Sequence, residues 1–356
     1  MSAVDGSEAD ILFERRGTAG LVTLNRPQAL NAVSLAMVRE LTRQLTEWEA
    51  DRAVTRVIVT SNHVRAFSAG GDLRALYDLG RAGRYDEALE YFREEYALNT
   101  RIKRYSKPYV ALIDGIVMGG GVGVSVHGSH RVAGDRFVFA MPEVGIGFFP
   151  DVGATFFLPR LPARLGTYCA LTGQRLDAAD AVAGGIATHR MASAQFPDLI
   201  EALCRGDPVD ASLAAREQDA SGGSVAARRA VIEALFGGDQ VEDILAALEA
   251  EGAGRGPDAA FASATSALIR TKSPTSLKIA LALMQRGSAL DFAECMRTEF
   301  RIVSRVVRGH DFYEGVRAVI VDKDQAPQWE PSRLKAVSTA AVERHFAPLS
   351  SELALP

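Results

Sequence analysis

Two glycine-rich junctions stand out for what bare backbone can do. "AFSAGGDL" (66–73) and "IVMGGGVGVSVHG" (116–128) each bring glycines to the point where an apolar run gives way to helical signals. Glycine costs backbone entropy, so such a position must require the absence of a side chain. Glycines at a strand-to-helix junction leave main-chain N–H groups open at the positive end of the helix, where negative charge is stabilised. Two donors of this kind from different segments, converging on one oxygen, make an oxyanion hole, each worth about 10²–10³ in rate. Either junction alone is also what an ordinary tight turn looks like.

Other glycine chemistry is excluded by spacing. A dinucleotide GxGxxG starting at Gly119 or Gly121 would need glycine where Val124 or Val126 stands, and no GK[ST] phosphate loop occurs. "GVSVHG" misses the GxSxG nucleophile elbow because His127 occupies the last glycine position, so Ser125 reads as a helix-facing serine. His127 and His130 have no acid or thiol partner at ligand spacing, and no metal is expected. Cys169, Cys204 and Cys295 are far apart, which predicts buried thiols in a reducing compartment rather than a disulfide framework.

A carboxyl group draws attention on independent grounds. On a long helix predicted over 85–104, Ala88, Tyr91, Glu95, Leu98 and Ile102 fall on one stripe. Glu95 is therefore an acid within an apolar face. It either snorkels to solvent or lines a pocket, with a buried structural salt bridge as the further alternative.

The elements that must position these residues read as alternating strands and helices. "ILFERR" and "GLVTLNRP" predict paired strands turning at Gly17–Gly20, and Leu35, Val38, Leu41, Leu45 and Trp48 predict a helix. "RVIVTS", "PYVALI", "RVAG" and "FVFAMPE" follow as short apolar strands, which argues for α/β units around a largely parallel sheet. From about residue 200 the chain turns helical and alanine-rich, and Ser273–Pro274 marks a helix start. We expect an α/β core over 8–200, a helical segment over 201–265 and a C-terminal helical region over 266–345.

The 356 residues are 47% hydrophobic and 24% charged, with net charge −4. This balance points to no nucleic-acid partner. No uninterrupted apolar run reaches membrane-span length, so no membrane partner is expected either. "MSAVDGSEADILFERRG" has no apolar leader core, and the expected location is the cytoplasm.

Taken together, "RAFSAGGDL", "KPYVALIDGIVMGGGVGVSVHG", "MPEVGIGFFPDVG", "SPTSLKIAL" and "RGHDFYEGVRAVIVDKDQAPQW" resemble the crotonase (enoyl-CoA hydratase/isomerase) superfamily over about residues 10–335. The resemblance is nearest to its 3-hydroxyisobutyryl-CoA hydrolase branch. It implies a spiral of stacked ββα turns capped by C-terminal helices, and an acyl-CoA substrate whose CoA lies along "NRPQALNA" and "RAFSAGGDL". It places the thioester carbonyl between the N–H groups of Gly71 and Gly120. It also gives Glu95 a substrate contact, and makes "RGHDFYEGVRAVIVDKD", with His310, Asp311, Glu314 and Arg317, a closing or subunit-packing segment.

The resemblance also separates hydration from hydrolysis. Hydratases of the superfamily carry one acid two residues after the glycine triplet and a second in a "PE" motif. Here those positions are Gly123 and Glu143, and a further acid, Asp151, follows eight residues later in "FFPDVG". Gly123 with Glu143 and Asp151 is the pattern of the hydrolase branch. Singly, Glu143 reads as a turn acid after Pro142 and Asp151 as an N-cap after Pro150. As a pair they suit thioester hydrolysis: Glu143 as nucleophile or as base for a water, Asp151 positioning hydroxyl and water or shuttling a proton. The nearby Ile146, Phe148 and Phe149 are expected to raise the carboxyl pKa values. The implied reaction is hydrolysis of 3-hydroxyisobutyryl-CoA in valine catabolism, with no cofactor beyond the CoA of the substrate and a homo-oligomer as possible assembly. An enoyl-CoA hydratase or isomerase, and a catalytically silent acyl-CoA-binding protein, are the alternatives.

Overall fold

The structure, a computed structural model, describes residues 9–356. The reading drawn from residues 1–8 lies outside the described residues. The described chain divides into two compact units of interleaved segments, residues 9–71, 101–139 and 177–221 in the first and 72–100, 140–176 and 222–356 in the second.

The first unit is built on parallel strands. β1 (Ile11–Arg16) and β2 (Ala19–Leu24) form the expected antiparallel hairpin. β2 then pairs in parallel with β3 (Arg56–Ser61), β3 with β5 (Tyr109–Ile113), β5 with β7 (His130–Ala133), and β7 with β9 (His189–Arg190). The continuous apolar runs are what a sheet covered on both faces requires, and Val57, Ile58, Val59, Val110 and Ala111 are wholly buried. Ser34 caps α1 (Leu35–Ala50) by accepting the Met37 N–H, and the stripe Val38, Leu41, Leu45 and Trp48 goes inward as its spacing predicts. The helix Phe196–Arg205 buries Phe196, Leu199 and Leu203 against Leu21, Ile58, Val110 and Val132 of the sheet.

A second sheet holds β4 (Ala66–Ser68), β6 (Ile116–Met118) and β8 (Val138–Ala140), in that order. Thus β3, β5 and β7 of the large sheet are each followed within a few residues by a short strand of the small one. The repeat of long strand, corner and short strand is the expected spiral of ββα turns. β4 leads to Gly71 and α2 (Leu73–Arg81), β6 to Gly120, and β8 to Glu143.

The second unit is helical. α2 starts on an Asp72 cap that accepts the Ala75 N–H, and α3 (Tyr85–Lys103) follows. Ser273 caps the helix Pro274–Gly287 with proline at its first turn, as the sequence predicts. Helices Phe292–Val306 and His310–Val316 come after it. Cys169, Cys204 and Cys295 are free and buried. No described helix is long and apolar enough to cross a membrane.

The glycine triplet 119–121 has distinct reasons at two of its positions. Gly119 has φ 43° and ψ −123°, a conformation closed to residues with a Cβ. A Cβ on Gly121 would lie 2.7 Å from both the Cβ and the carbonyl oxygen of Ser68. Gly121→Ala should therefore force β4 and β6 apart and cost about 1–3 kcal/mol. A lowered midpoint in denaturant unfolding is the expected result, and an unchanged one would show that β4 yields freely.

Candidate active site

In the first unit the two glycine junctions come together. β4 and β6 pair in parallel, and a Cβ on Gly70 would sit 4.0 Å from the Gly119 Cα. "NRPQALNA" folds onto the same place. The buried Asn31 amide donates to Ser61 Oγ at 2.7 Å and to the Phe67 carbonyl at 3.2 Å, while Ser68 Oγ donates to the Asn31 carbonyl at 2.7 Å. Val33 N–H bonds the Gly70 carbonyl, which leaves Gly71 with its own N–H free of the bridge. Among the described residues, no acceptor is bonded to the Gly71 or Gly120 N–H.

One detail differs from the sequence reading. The helix expected after the triplet is a single turn, α4 (Gly120–Gly123), closed by further turns up to residue 127. Ser125 Oγ donates back to the Gly121 carbonyl at 2.7 Å, a competition with the helical ladder that stops its growth. What this junction offers an anion is the open N–H groups, not the dipole of a long helix. His130 bonds Ser129 Oγ and Asp210, both at 2.9 Å.

In the second unit Glu95, Glu143 and Asp151 are buried together, and a fourth acid, Glu299, joins them. Glu143 opens a 3₁₀ turn, Glu143–Ile146, whose main chain is pinned by two neighbours. Ser273 N–H bonds the Val144 carbonyl at 3.1 Å, and the helix His310–Val316 packs so closely that a Cβ on Gly315 would lie 2.3 Å from the Ile146 carbonyl carbon. Glu143 Oε2 is buried with no hydrogen-bond partner. An unpaired carboxyl oxygen is costly in such a place, and it marks a group kept open for something else.

The other acids have partners, none of them a cation. The Tyr91 hydroxyl donates to Glu95 Oε1 at 3.0 Å, and the Tyr96 hydroxyl to Asp151 Oδ2 at 2.9 Å. Glu95 therefore sits in its apolar stripe without the salt bridge that was its alternative. Glu299 accepts the Gly153 and Thr155 N–H groups at 2.8 and 3.0 Å. Phe148 stacks on Phe92 and Phe149, their centroids 5.6 and 4.7 Å away, and walls the site as the apolar run predicts.

Burial dominates the titration of the group. Loss of water, then the neighbouring Asp151 charge, pushes Glu143 and Glu95 well above the usual carboxylate range. Burial also lifts Asp151 to about 7, against the opposing hydrogen bond from Tyr96. Burial and Asp151 lift Glu299 to about 8. Perturbations of this size collect at functional sites.

Tyr91, Tyr96 and Glu299 are residues that the sequence reading missed as site members. Tyr91 lay on the recognised stripe, four residues before Glu95. Glu299 had a signal of its own: on Phe292–Val306 it falls on the face of Cys295, Met296, Phe300 and Val303, all buried. The C-terminal charges form a separate network. Asp311 accepts from Ser273 Oγ at 2.6 Å and pairs with His310, while Arg317 pairs with Glu314, Asp322 and Asp324.

Known proteins bear on this arrangement. The sequence pattern described as "Enoyl-CoA hydratase/isomerase" matches residues 19–346. The chain belongs to the enoyl-CoA hydratase/isomerase family. Within the family it is similar to a mitochondrial 3-hydroxyisobutyryl-CoA hydrolase of Danio rerio, 44% identical over 98% of this chain and 92% of that protein. The corresponding Homo sapiens protein is 41% identical over 99% and 92%. A solved structure named as a carnitinyl-CoA dehydratase from Mycobacterium thermoresistibile superposes with TM-score 0.92 at 40% identity, covering 98% of this chain and 99% of that one. Another, an enoyl-CoA hydratase from Rhodobacter sphaeroides, gives TM-score 0.90 at 37% identity, covering 98% and 100%. The expected cytoplasmic location is overturned, because these hydrolase relatives are named as mitochondrial proteins. The absence of an apolar leader core tests only for secretion, since mitochondrial targeting segments are amphipathic rather than apolar.

The raised carboxyls fix a direction for stability against pH. The folded protein holds the Asp151 and Glu299 protons until about pH 7 and 8, whereas the unfolded chain releases them near the ordinary values of 3.8 and 4.5. Between those limits the folded state binds more protons, so raising the pH favours unfolding. The melting temperature contributed by this cluster should fall from about pH 5 to 8. Asp151→Asn should flatten that fall relative to the unsubstituted protein, and an identical slope would contradict the assignment.

Proposed function

We propose that this chain is an acyl-CoA thioester hydrolase that converts 3-hydroxyisobutyryl-CoA and water to 3-hydroxyisobutyrate and CoA. The observation that carries the reading is the buried pair Glu143 and Asp151 in a chain with Gly123 where the family's hydratases carry their first acid. Hydration of a double bond needs two acid/base groups, and a glycine supplies none. The 41–44% identity to 3-hydroxyisobutyryl-CoA hydrolases over nearly the whole chain supports the same conclusion, and with it a role in valine breakdown.

The chemistry follows from the groups available. The thioester oxygen takes hydrogen bonds from the open Gly71 and Gly120 N–H groups, which strengthen as it becomes an oxyanion. Glu143 acts in its ionised form, through its unpaired Oε2. It either attacks the carbonyl carbon, giving an acyl-enzyme anhydride that water then hydrolyses to the free acid and the restored carboxylate, or takes the proton of a water that attacks the carbonyl carbon itself. On either route the C–S bond breaks and CoA leaves as thiolate. Asp151, lifted to about 7, holds a proton near neutral pH that it can pass to that sulfur. Glu95, with Tyr91, supplies a polar contact for the substrate hydroxyl. The reaction requires no cofactor beyond the CoA that arrives with the substrate. Nucleic acid and membrane have no part in it, and assembly with copies of the same chain is compatible with it.

Release of free thiol from 3-hydroxyisobutyryl-CoA, 3-hydroxypropionyl-CoA, acetyl-CoA and crotonyl-CoA tests the reading. The 3-hydroxyacyl esters should be hydrolysed, with the shorter one disfavoured by no more than about 10–200-fold for its missing methyl group. Glu143→Ala should lower the rate by about 10²–10⁴-fold, the usual range for losing an acid/base group. Loss of the crotonyl-CoA enone without thiol release would instead make the protein a hydratase. Binding of all four esters with no turnover would make it a binding protein.

A further inference from the structure

The turn that follows Asp151 is strained and clamped. Val152, a β-branched residue, sits at φ +51°, and Gly153 follows at φ +87°. Left-handed backbone is an outlier for a β-branched side chain and persists only where its surroundings enforce it. Here one side chain does much of the enforcing. Glu299, wholly buried, spans the turn, with Oε2 on the Gly153 N–H at 2.8 Å and Oε1 on the Thr155 N–H at 3.0 Å. The next residue on its helix, Phe300, meets the Tyr96 ring edge-on, with centroids 6.4 Å apart, and Tyr96 bonds Asp151 Oδ2 at 2.9 Å. One helical turn thus supports Asp151 from its following backbone and, through Tyr96, at its carboxyl.

We propose that Glu299 is a positioning residue for the hydrolysis: it holds the left-handed turn 152–155 closed and so fixes the direction of the Asp151 carboxyl. It acts through Asp151, and the proposal rests on the role given to Asp151 above. As the carboxylate, the form that the Gly153 and Thr155 N–H donors favour, glutamate offers one acceptor oxygen to each of two neighbouring main-chain donors. Glutamine has one acceptor and would set its NH₂ against the second N–H. Aspartate is a methylene shorter and loses reach to both.

The test compares Glu299→Gln, Glu299→Asp and Gly153→Ala with the unsubstituted protein for thiol release from 3-hydroxyisobutyryl-CoA. Gly153→Ala strains the same turn from the other side. We expect kcat to fall at least tenfold in Glu299→Gln, toward the order of 100-fold that a misplacement of ~1 Å produces, with KM nearly unchanged. Glu299→Asp and Gly153→Ala should show the same split between kcat and KM. An unchanged kcat in folded Glu299→Gln, or a loss confined to KM, would overturn the proposal. If Glu299→Gln does not fold, Gly153→Ala decides by the same criterion. Hydrogen exchange in the unsubstituted protein adds a substrate-free check: the Gly153 and Thr155 amides should exchange slowly, and rapid exchange would overturn the clamp. If the unsubstituted protein releases no thiol, the hydrolase reading fails, while the exchange result still reports on Glu299.

Discussion

Burying a carboxyl group away from any cation obliges it to keep its proton or to find other donors. Glu95, Glu143, Asp151 and Glu299 meet that demand within one unit of the chain. Among the described residues none of the four forms an ion pair, and each is held above the ordinary carboxylate range chiefly by loss of water. The surrounding structure reads as the means of tolerating them. Tyr91 and Tyr96 supply hydroxyl donors, two main-chain amides hold Glu299, and stacked phenylalanines exclude water. Among the described residues Glu143 alone of the four accepts no hydrogen bond from another residue, and its buried Oε2 has no partner.

That exception separates roles within the group. A carboxyl held by a donor from another residue is fixed in place, whereas an unheld one is available to a substrate. The same logic applies in the first unit. There the main chain of 66–71 and 116–121 is tied down by strand pairing and by Asn31 and Ser68, yet the Gly71 and Gly120 amides stay open. Each unit thus combines rigid support with a few unsatisfied groups. Such an arrangement reduces stability locally and preorganises the groups for reaction.

Much of this was legible in the sequence, and the rest was hidden for identifiable reasons. The strands announced themselves because a parallel sheet covered on both faces needs unbroken apolar runs, as in "RVIVTS" and "YVALI". Glu95 was found because a helix repeats every 3.6 residues and one acid interrupted an apolar stripe. The length of α4 was misread, since nothing local says that Ser125 will bond back to Gly121. Glu299 lies 146 and 144 residues from the amides that it holds, a separation that periodicity does not span. The N-terminal stretch misled about location because a missing apolar core argues against one export route alone.

Buried carboxyl groups of this cluster retain protons at neutral pH. Infrared difference spectroscopy of the unliganded protein, titrated from about pH 4 to 9 across the ordinary carboxyl pKa values and beyond, measures this directly. A protonated-carboxyl carbonyl band should persist near pH 7 and be reduced in Asp151→Asn. Complete ionisation of every aspartate and glutamate by about pH 5 would contradict it, since that is how ordinary solvated carboxyls behave.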